Sequence, residues 1–330
     1  MSSIAATTHT CPLTPGEALE LKVYLKNHDY ELMTPPAHAS LAARREKVNL
    51  VLYESGKLVV QGKGTRDFVE FVLEPLILKR AGIGYESVLH PEQFLPRLGI
   101  DESGKGDFFG PLCIAGVYVN EAVIQSWKEA GIQDSKNIGS DKRIADLAEL
   151  IKSTPGCVWS VVPIGNPAYN RLYVTMRSVN RILAWGHARV IENLMLKQHQ
   201  MNPKPVRAIS DQFAQDKQTV AKALMSLGQS IELVQRHKAE SDAAVAAASI
   251  LARHEFVTRL GALEKSIRLR LPKGASAAVD AAAKEVVAKL GADQLESVSK
   301  KHFRTWFRAL DLPEPPKQEW KRGSKSKSVD

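Results

Sequence analysis

The stretch GIDESGKGDFFGPL, residues 99–112, sets Asp101 and Glu102 side by side in an otherwise apolar, strand-like context and follows them with glycines and a lysine. Neighbouring carboxylates repel each other, and burial penalises their charged forms further. Asp211 follows the apolar run VRAIS, and Glu240 stands in HKAES, between a short strand pattern and the start of a long helix. All four acids fall where strands end or helices begin, the positions at which open α/β sheets build sites. Carboxylates gathered there ionise together only with cations between them. Hard oxygen ligands suit Mg²⁺ or Mn²⁺, and two such ions about 4 Å apart clamp an in-line displacement at phosphorus. Glu240 beside a helix N-terminus also gains from the helix dipole. A plainer reading stands next to this one: acids at strand ends commonly cap or turn the chain, and the glycines suit a tight hairpin. The glycine stretch is not a P-loop, which needs GxxxxGK[ST] before a helix, whereas a strand follows here. Spacing alone does not bring the four acids together.

The elements that must position them are legible in outline. LCIAGVYV (112–119) and VRAIS (206–210) are nearly continuous β-type runs, which predicts strands buried on both faces, with IELVQR (231–236) as a shorter third. SDAAVAAASILARHEFVTRL (241–260) is an alanine-rich helix, and residues 276–291 predict another. The order is that of an α/β domain. Upstream, Thr14, Pro15 and Glu17 provide a cap, a first-turn proline and a capping-box acid for a helix running to about Asn27. VNLVLYESGKLVVQGK alternates on either side of a Ser55-Gly56 turn: Val48, Leu50, Leu52, Leu58 and Val60 form a core face. The opposite face carries Asn49, Tyr53, Lys57, Gln61 and Lys63, and a helix from Thr65 is expected to bury Phe68, Phe71, Val72 and Leu76. Residues 1–85 therefore predict a small α+β domain, 86–97 a linker, 98–311 the α/β domain, and 312–330 a basic, disordered tail.

The chain has 330 residues, enough for two domains, and a net charge of +9, which points to a polyanionic partner, nucleic acid before membrane. No apolar run approaches a membrane-spanning length, and the N-terminus lacks the basic and apolar segments of a secretion signal. Cys11, Cys113 and Cys157 are odd in number, scattered and without zinc-ligand spacing, so free thiols in a reducing, cytoplasmic setting are expected. No obligate protein partner is evident.

These residues resemble a known family. GIDESGKGDFFGPL is similar to the first catalytic motif of the prokaryotic type 2 ribonucleases H, ribonuclease HIII in particular. DSKNIGSDKRI (134–144), NPAYNRLY (166–173), VNRILAWGHARVIENL (179–194), ISDQF (209–213), HKAESDAAVAAASILAR (237–253), LPKGAS (271–276) and KKHF (300–303) follow in the family's order. LYESGKLVVQG resembles the ribonuclease HIII extension, a small domain related to half of the TATA-binding protein, and Glu240 stands where ribonuclease HII has aspartate. The resemblance implies a ribonuclease H-like catalytic domain with a mixed sheet and flanking helices. It also implies an endonuclease that cuts the RNA strand of RNA–DNA hybrids and leaves 5′-phosphate and 3′-hydroxyl ends. Asp101, Glu102, Asp211 and Glu240 match the family's metal-binding carboxylates for Mg²⁺ or Mn²⁺, two ions during catalysis. Ser103, Gly104, Lys105 and Gly106 match its substrate loop, where glycines let backbone amides approach the ribose 2′-OH. Asp107 reads as a turn residue. Asp134, Ser135 and Lys136 are candidate phosphate contacts or a surface charge cluster. Tyr53, Lys57, Gln61 and Lys63 offer groups suited to docking a hybrid's backbone. His187, His237 and His302 lie in family-like segments without an assigned role. Incision at single ribonucleotides in DNA, as by ribonuclease HII, and noncatalytic hybrid binding are the alternatives; the intact set of acids disfavours the latter.

Overall fold

The computed structural model describes residues 8–79, 93–127, 130–132, 135–212, 218–236 and 239–315. Its backbone divides into two compact units, Met1–Leu95 with Glu121–Gly131, and Pro96–Asn120 with Ile132–Asp330.

The first unit is a five-stranded antiparallel sheet in the order β1-β5-β4-β3-β2, built from β1 (Thr8–Pro12), β2 (Glu31–Met33), β3 (Ala39–Arg45), β4 (Val48–Tyr53) and β5 (Lys57–Gln61). Helix α1 (Pro15–Asn27) starts at the expected capping box: Glu17 N–H donates to the Thr14 hydroxyl while the Thr14 N–H donates to the Glu17 carboxylate at 2.7 Å. Val48, Leu50, Leu52, Leu58 and Val60 face the core, where Leu21 and Leu25 of α1 meet them. The alternation read from the sequence thus holds. The next helix keeps Phe68 and Val72 of the expected face against the core but turns Phe71 and Leu76 away from it. After α2 (Thr65–Phe68) the ladder widens to π-helical spacing over Val69–Leu78, with Pro75 inside it. Residues four apart then share a side, so Val69, Leu73 and Ile77 join Phe68 in the core, while Phe71 and Leu76 are 65% and 49% exposed. Lys63 also departs from expectation. β5 ends at Gln61, and Gly62, at φ +120° with the Lys47 carbonyl in the space of a Cβ, turns the chain so that Lys63 lies in a turn beyond the strand. Helix α3 (Glu121–Trp127) also belongs to this unit.

The second unit is a mixed sheet in the order β10-β9-β6-β7-β8, made of β6 (Arg97–Ser103), β7 (Leu112–Val119), β8 (Val158–Ile164), β9 (Arg207–Asp211) and β10 (Glu232–Arg236). β6, β9 and β10 run parallel; β7 and β8 are antiparallel to their neighbours. Every residue of β7 is buried, as its unbroken apolar run predicts. One face is covered by α6 (Val179–Leu196) with α5 (Asn166–Met176) beside it, through a core that includes Leu98, Ile100, Ile114, Ile182, Val190 and Leu194. The other is covered by α8 (Ala243–Ile267), with α4 (Asp141–Ser153) packed on α8. α9 (Ala277–Leu290), α10 (Ala292–Val298) and α11 (Arg304–Ala309) close a further apolar cluster with Phe108, Phe109 and Phe256. A short α7 (Gln218–Ala221) lies between β9 and β10 in the chain. Residues 312–315, expected to open a disordered tail, are held by contacts to the preceding helix. Leu312 N–H donates to Phe307 O at 2.9 Å and Arg304 holds Glu314 at 2.7 Å, which fixes the chain up to this point; residues 316–330 are outside the described set.

All three cysteines are free thiols. Among the described residues no helix is long and apolar enough to cross a membrane.

Candidate active site

Two absent side chains set how closely helices approach the first motif. A Cβ on Gly99 would fall 2.1 Å from the Ala244 carbonyl carbon and 2.3 Å from Val245 N, so only glycine lets the first turn of α8 rest on β6. On the opposite face, Gly186 of α6 lies against Ile114, whose nearest atom would stand 2.7 Å from an added Cβ. Ile114 is the cross-strand partner of Glu102, so this contact brings α6 down beside that residue.

The four acids sort onto these faces. Residues 97, 99 and 101 share the α8 side of β6. Gly99 pairs with Ile209 in the parallel β6–β9 ladder, and Asp211 lies two residues beyond on the same face, at the C-terminal end of β9. Glu240 sits in a 3₁₀ turn, Ala239–Ser241, whose Ala239 packs on Ile209 and Val245. Asp101, Asp211 and the Glu240 turn therefore meet one face at the ends of adjacent parallel strands. The start of α8 is fixed there by Asp242, which caps it through Ala244 N–H at 2.9 Å and accepts from Arg97 Nε at 2.8 and 3.0 Å. This ion pair is nearly sealed, its side chains 3% and 7% exposed, and deleting one partner of such a pair typically costs about 3–5 kcal/mol. Neither Arg97 nor Asp242 stood out in the sequence, although Asp242 occupies an N-cap position directly before the alanine-rich run.

Glu102 points to the other face. Its Oε2 lies 3.1 Å from His187 Nε2 on α6. A carboxylate only accepts, so Nε2 carries the proton in this bond. Burial pushes the Glu102 carboxyl up, but the His187 hydrogen bond and the attraction of His187, Lys105 and Lys136 outweigh it and hold the group below the usual carboxylate range. Because consecutive strand residues project oppositely, the site is split across the sheet. Among the described residues no three His, Cys, Asp or Glu side chains converge closely enough to hold one metal ion. The donor set nonetheless fits divalent cations chemically: hard carboxylates, of which Asp211 has a buried Oδ1 with no hydrogen-bond partner among the described residues.

The glycine loop is pinned from behind. Ser103 closes β6, Gly104 adopts φ +91° with the Pro111 carbonyl 2.2 Å from where a Cβ would lie, and Lys105 and Gly106 are exposed at the tip. Asp107 is a structural turn residue, its carboxylate accepting from Gly274 N–H at 2.7 Å, within LPKGAS. Lys300, fully buried, donates to the carbonyls of Asp107 and Gly110 at 2.7 and 2.6 Å, and Asn166 also reaches Gly110 O, at 2.8 Å. Burial pushes the Lys300 amine down to about 7, against the pull of Asp107 and Cys113. Of the secondary candidates, Ser135 is buried, its N–H held by the Ser249 hydroxyl at 2.9 Å, while Lys136 is exposed and adds to the positive field at Glu102. Asp134 and His237 lie outside the described residues. His302 stacks on Tyr173 with ring centroids 4.8 Å apart, and burial and Lys300 push it down to about 4, which suits packing. In the first unit, Tyr53, Lys57 and Gln61 share the sheet face turned away from the core, and Lys63 stands in the adjoining turn.

The family model for ribonuclease HII matches residues 98–306. Ribonuclease HIII of Chlamydia pneumoniae is 44% identical over 298 residues, 89% of this chain and 95% of the relative. That of Protochlamydia amoebophila is 45% identical over 273 residues, 83% and 87% of the two chains. The crystal structure of Bst-RNase HIII in complex with Mn²⁺ superposes with a TM-score of 0.61 at 28% identity, covering 92% of this chain and 98% of that one. Matches that span both the acidic motifs and the amino-terminal sheet place this chain in the ribonuclease HIII family.

Proposed function

We propose that this ribonuclease HIII, an endoribonuclease acting on RNA–DNA hybrids, works through divalent ions held by Asp101, Glu102, Asp211 and Glu240. The observation that carries this assignment is the placement of Asp101 and Asp211 at the ends of adjacent parallel strands, with the Glu240 turn packed on the same face. Mg²⁺ or Mn²⁺ bound there supplies an activated water and charge neutralisation at the scissile phosphate. The chain's own residues then position the substrate. The exposed tip at Lys105 and Gly106, rigidified by Lys300 and Asp107, meets the ribose, and Lys105 and Lys136 balance phosphate charge. The outer sheet face of the first unit, with Tyr53, Lys57 and Gln61, and Lys63 beside it, docks the hybrid duplex by backbone and sugar contacts. An extended docking face favours continuous ribonucleotide tracts over a lone ribose.

The test uses labelled RNA–DNA hybrid, duplex DNA, duplex RNA and DNA bearing one ribonucleotide, each with and without Mg²⁺. Cleavage restricted to the hybrid's RNA strand and to metal-containing reactions supports the assignment; equal or faster cutting at the single ribonucleotide replaces it with a ribonuclease HII-like activity. Asp211→Asn should fold and bind hybrid but cleave at least about 100-fold more slowly, since it removes a metal ligand while reducing local negative charge. A parallel loss of binding in a folded variant would refute the catalytic role of Asp211.

A further inference from the structure

We infer that His187 is a positioning residue for Glu102, holding that carboxylate in the orientation from which it binds a divalent ion; this rests on the reading of Glu102 as a metal ligand. His187 is 1% exposed on a helix whose neighbouring side chains, Ile182, Leu183, Val190 and Ile191, are core hydrocarbons. An imidazole there costs desolvation that a leucine would not, unless its polar edge is used. It is used: Nε2 faces Glu102 Oε2 at 3.1 Å, and the Glu102 side chain is itself only 13% exposed. The approach is built by the backbone, since Gly186 seats α6 on Ile114, directly across the β6–β7 ladder from Glu102.

The geometry explains why this acid in particular needs a holder. Asp101 and Asp211 lie on the α8 face with the Glu240 turn, whereas Glu102 stands alone among the four on the α6 face. A long, flexible glutamate has several rotamers from which it could not reach an ion near the strand ends. The bond from His187 selects one orientation and engages one carboxylate oxygen, leaving the other as a ligand. Residues that hold ligands in this way typically change metal affinity or activity by about 10–100-fold when removed.

The experiment titrates full-length protein with Mn²⁺ alone, without nucleic acid, by calorimetry at one pH, and separately measures kcat and KM on an RNA–DNA hybrid. His187→Leu fills the space without a donor, and His187→Gln keeps an N–H at nearly the same reach. His187→Leu should weaken Mn²⁺ binding about 10–100-fold and lower kcat at limiting Mn²⁺, with KM for hybrid little changed, and His187→Gln should recover most of both. If His187→Leu does not fold by circular dichroism, His187→Asn, whose amide falls short by one carbon, takes its place against His187→Gln. Wild-type Mn²⁺ affinity and kcat in the donorless or shortened variant, or equal loss in His187→Gln, overturns the inference. Glu102→Gln separates the two layers. If it binds Mn²⁺ and cleaves as wild type does, the ligand reading fails and the inference with it. If it is inactive while His187→Leu is normal, only the role of His187 fails.

Discussion

Lys300 combines an ammonium-forming group with complete burial and two carbonyl acceptors. A neutral amine retains two N–H donors, so both bonds to Asp107 and Gly110 persist when the proton leaves. The stability consequence has a definite sign. Unfolded, Lys300 holds its proton to about 10.5; folded, burial brings that to about 7. Between these values the unfolded chain binds more protons, so stability from this residue rises with pH across that window. Below about 7 both states are protonated and the penalty is constant. The slope approaches at most about 1.4 kcal/mol per pH unit. Urea unfolding of the protein and of Lys300→Met at pH 7.0 and about 8.5 checks this. The difference should move in the native lysine's favour at the higher pH, and a flat difference would place Lys300 outside this titration. The interval stays below the range where Cys113, pushed up by burial from 9.0 to about 12, adds the opposite trend.

At the scale of elements, two glycines make opposite predictions, one at a close helix–strand approach and one in open space on the same helix. Gly99→Ala would push a Cβ into the backbone of Ala244 and Val245, atoms that cannot rotate away. It should destabilise the protein by about 1–3 kcal/mol and displace the start of α8, reducing cleavage as well as the melting temperature. Gly261, inside α8, has nothing within 4 Å of a Cβ, so Gly261→Ala should stabilise by about 0.5–1 kcal/mol with cleavage unchanged. Thermal melts and initial rates on both variants check the pair. The same contrast shows what could be read from sequence. β7, α8, α1 with its capping box and the alternating β4–β5 hairpin follow from local patterns and were legible. The acids were legible as a motif, and alternation along one strand already sends Asp101 and Glu102 to opposite faces. That Asp211 and the Glu240 turn join the Asp101 face was not legible, because it follows from register, Gly99 opposite Ile209, and from the packing of Ala239 on Ile209, which a single strand does not encode. β8, with its proline and half-buried residues, and the exposed edge strand β2 lacked a sequence signal strong enough to register. The core face of Val69–Leu78 departs in part from the sequence pattern because that pattern assumes α-helical spacing.

For the whole molecule, a net charge of +9 and a separate antiparallel sheet with a polar outer face suit a long polyanionic duplex. If Lys57 and Lys63 each meet a phosphate, replacing both with alanine should weaken hybrid binding and make its salt dependence shallower. The slope of log K against log salt should fall by nearly one for each lysine. The rate at saturating hybrid should be preserved, because neither residue belongs to the unit that carries the acids. Binding isotherms at several salt concentrations decide it: an unchanged slope would remove this face from the docking surface.

The ion pair of Arg97 with Asp242 joins positions 145 residues apart in the chain, and β6 waits for β9 to complete its parallel pairing. Contacts of such long sequence separation carry a large loop-closure entropy and characterise slow folding. The first unit's hairpin and the long helices are local and can form early, whereas the face bearing Asp101, Asp211 and the Glu240 turn exists only after these distant closures. A partly folded chain therefore lacks the assembled set of acids, and nuclease competence is among the last properties it acquires. During refolding from denaturant, cleavage should return with the slowest kinetic phase, well after helical circular dichroism has recovered.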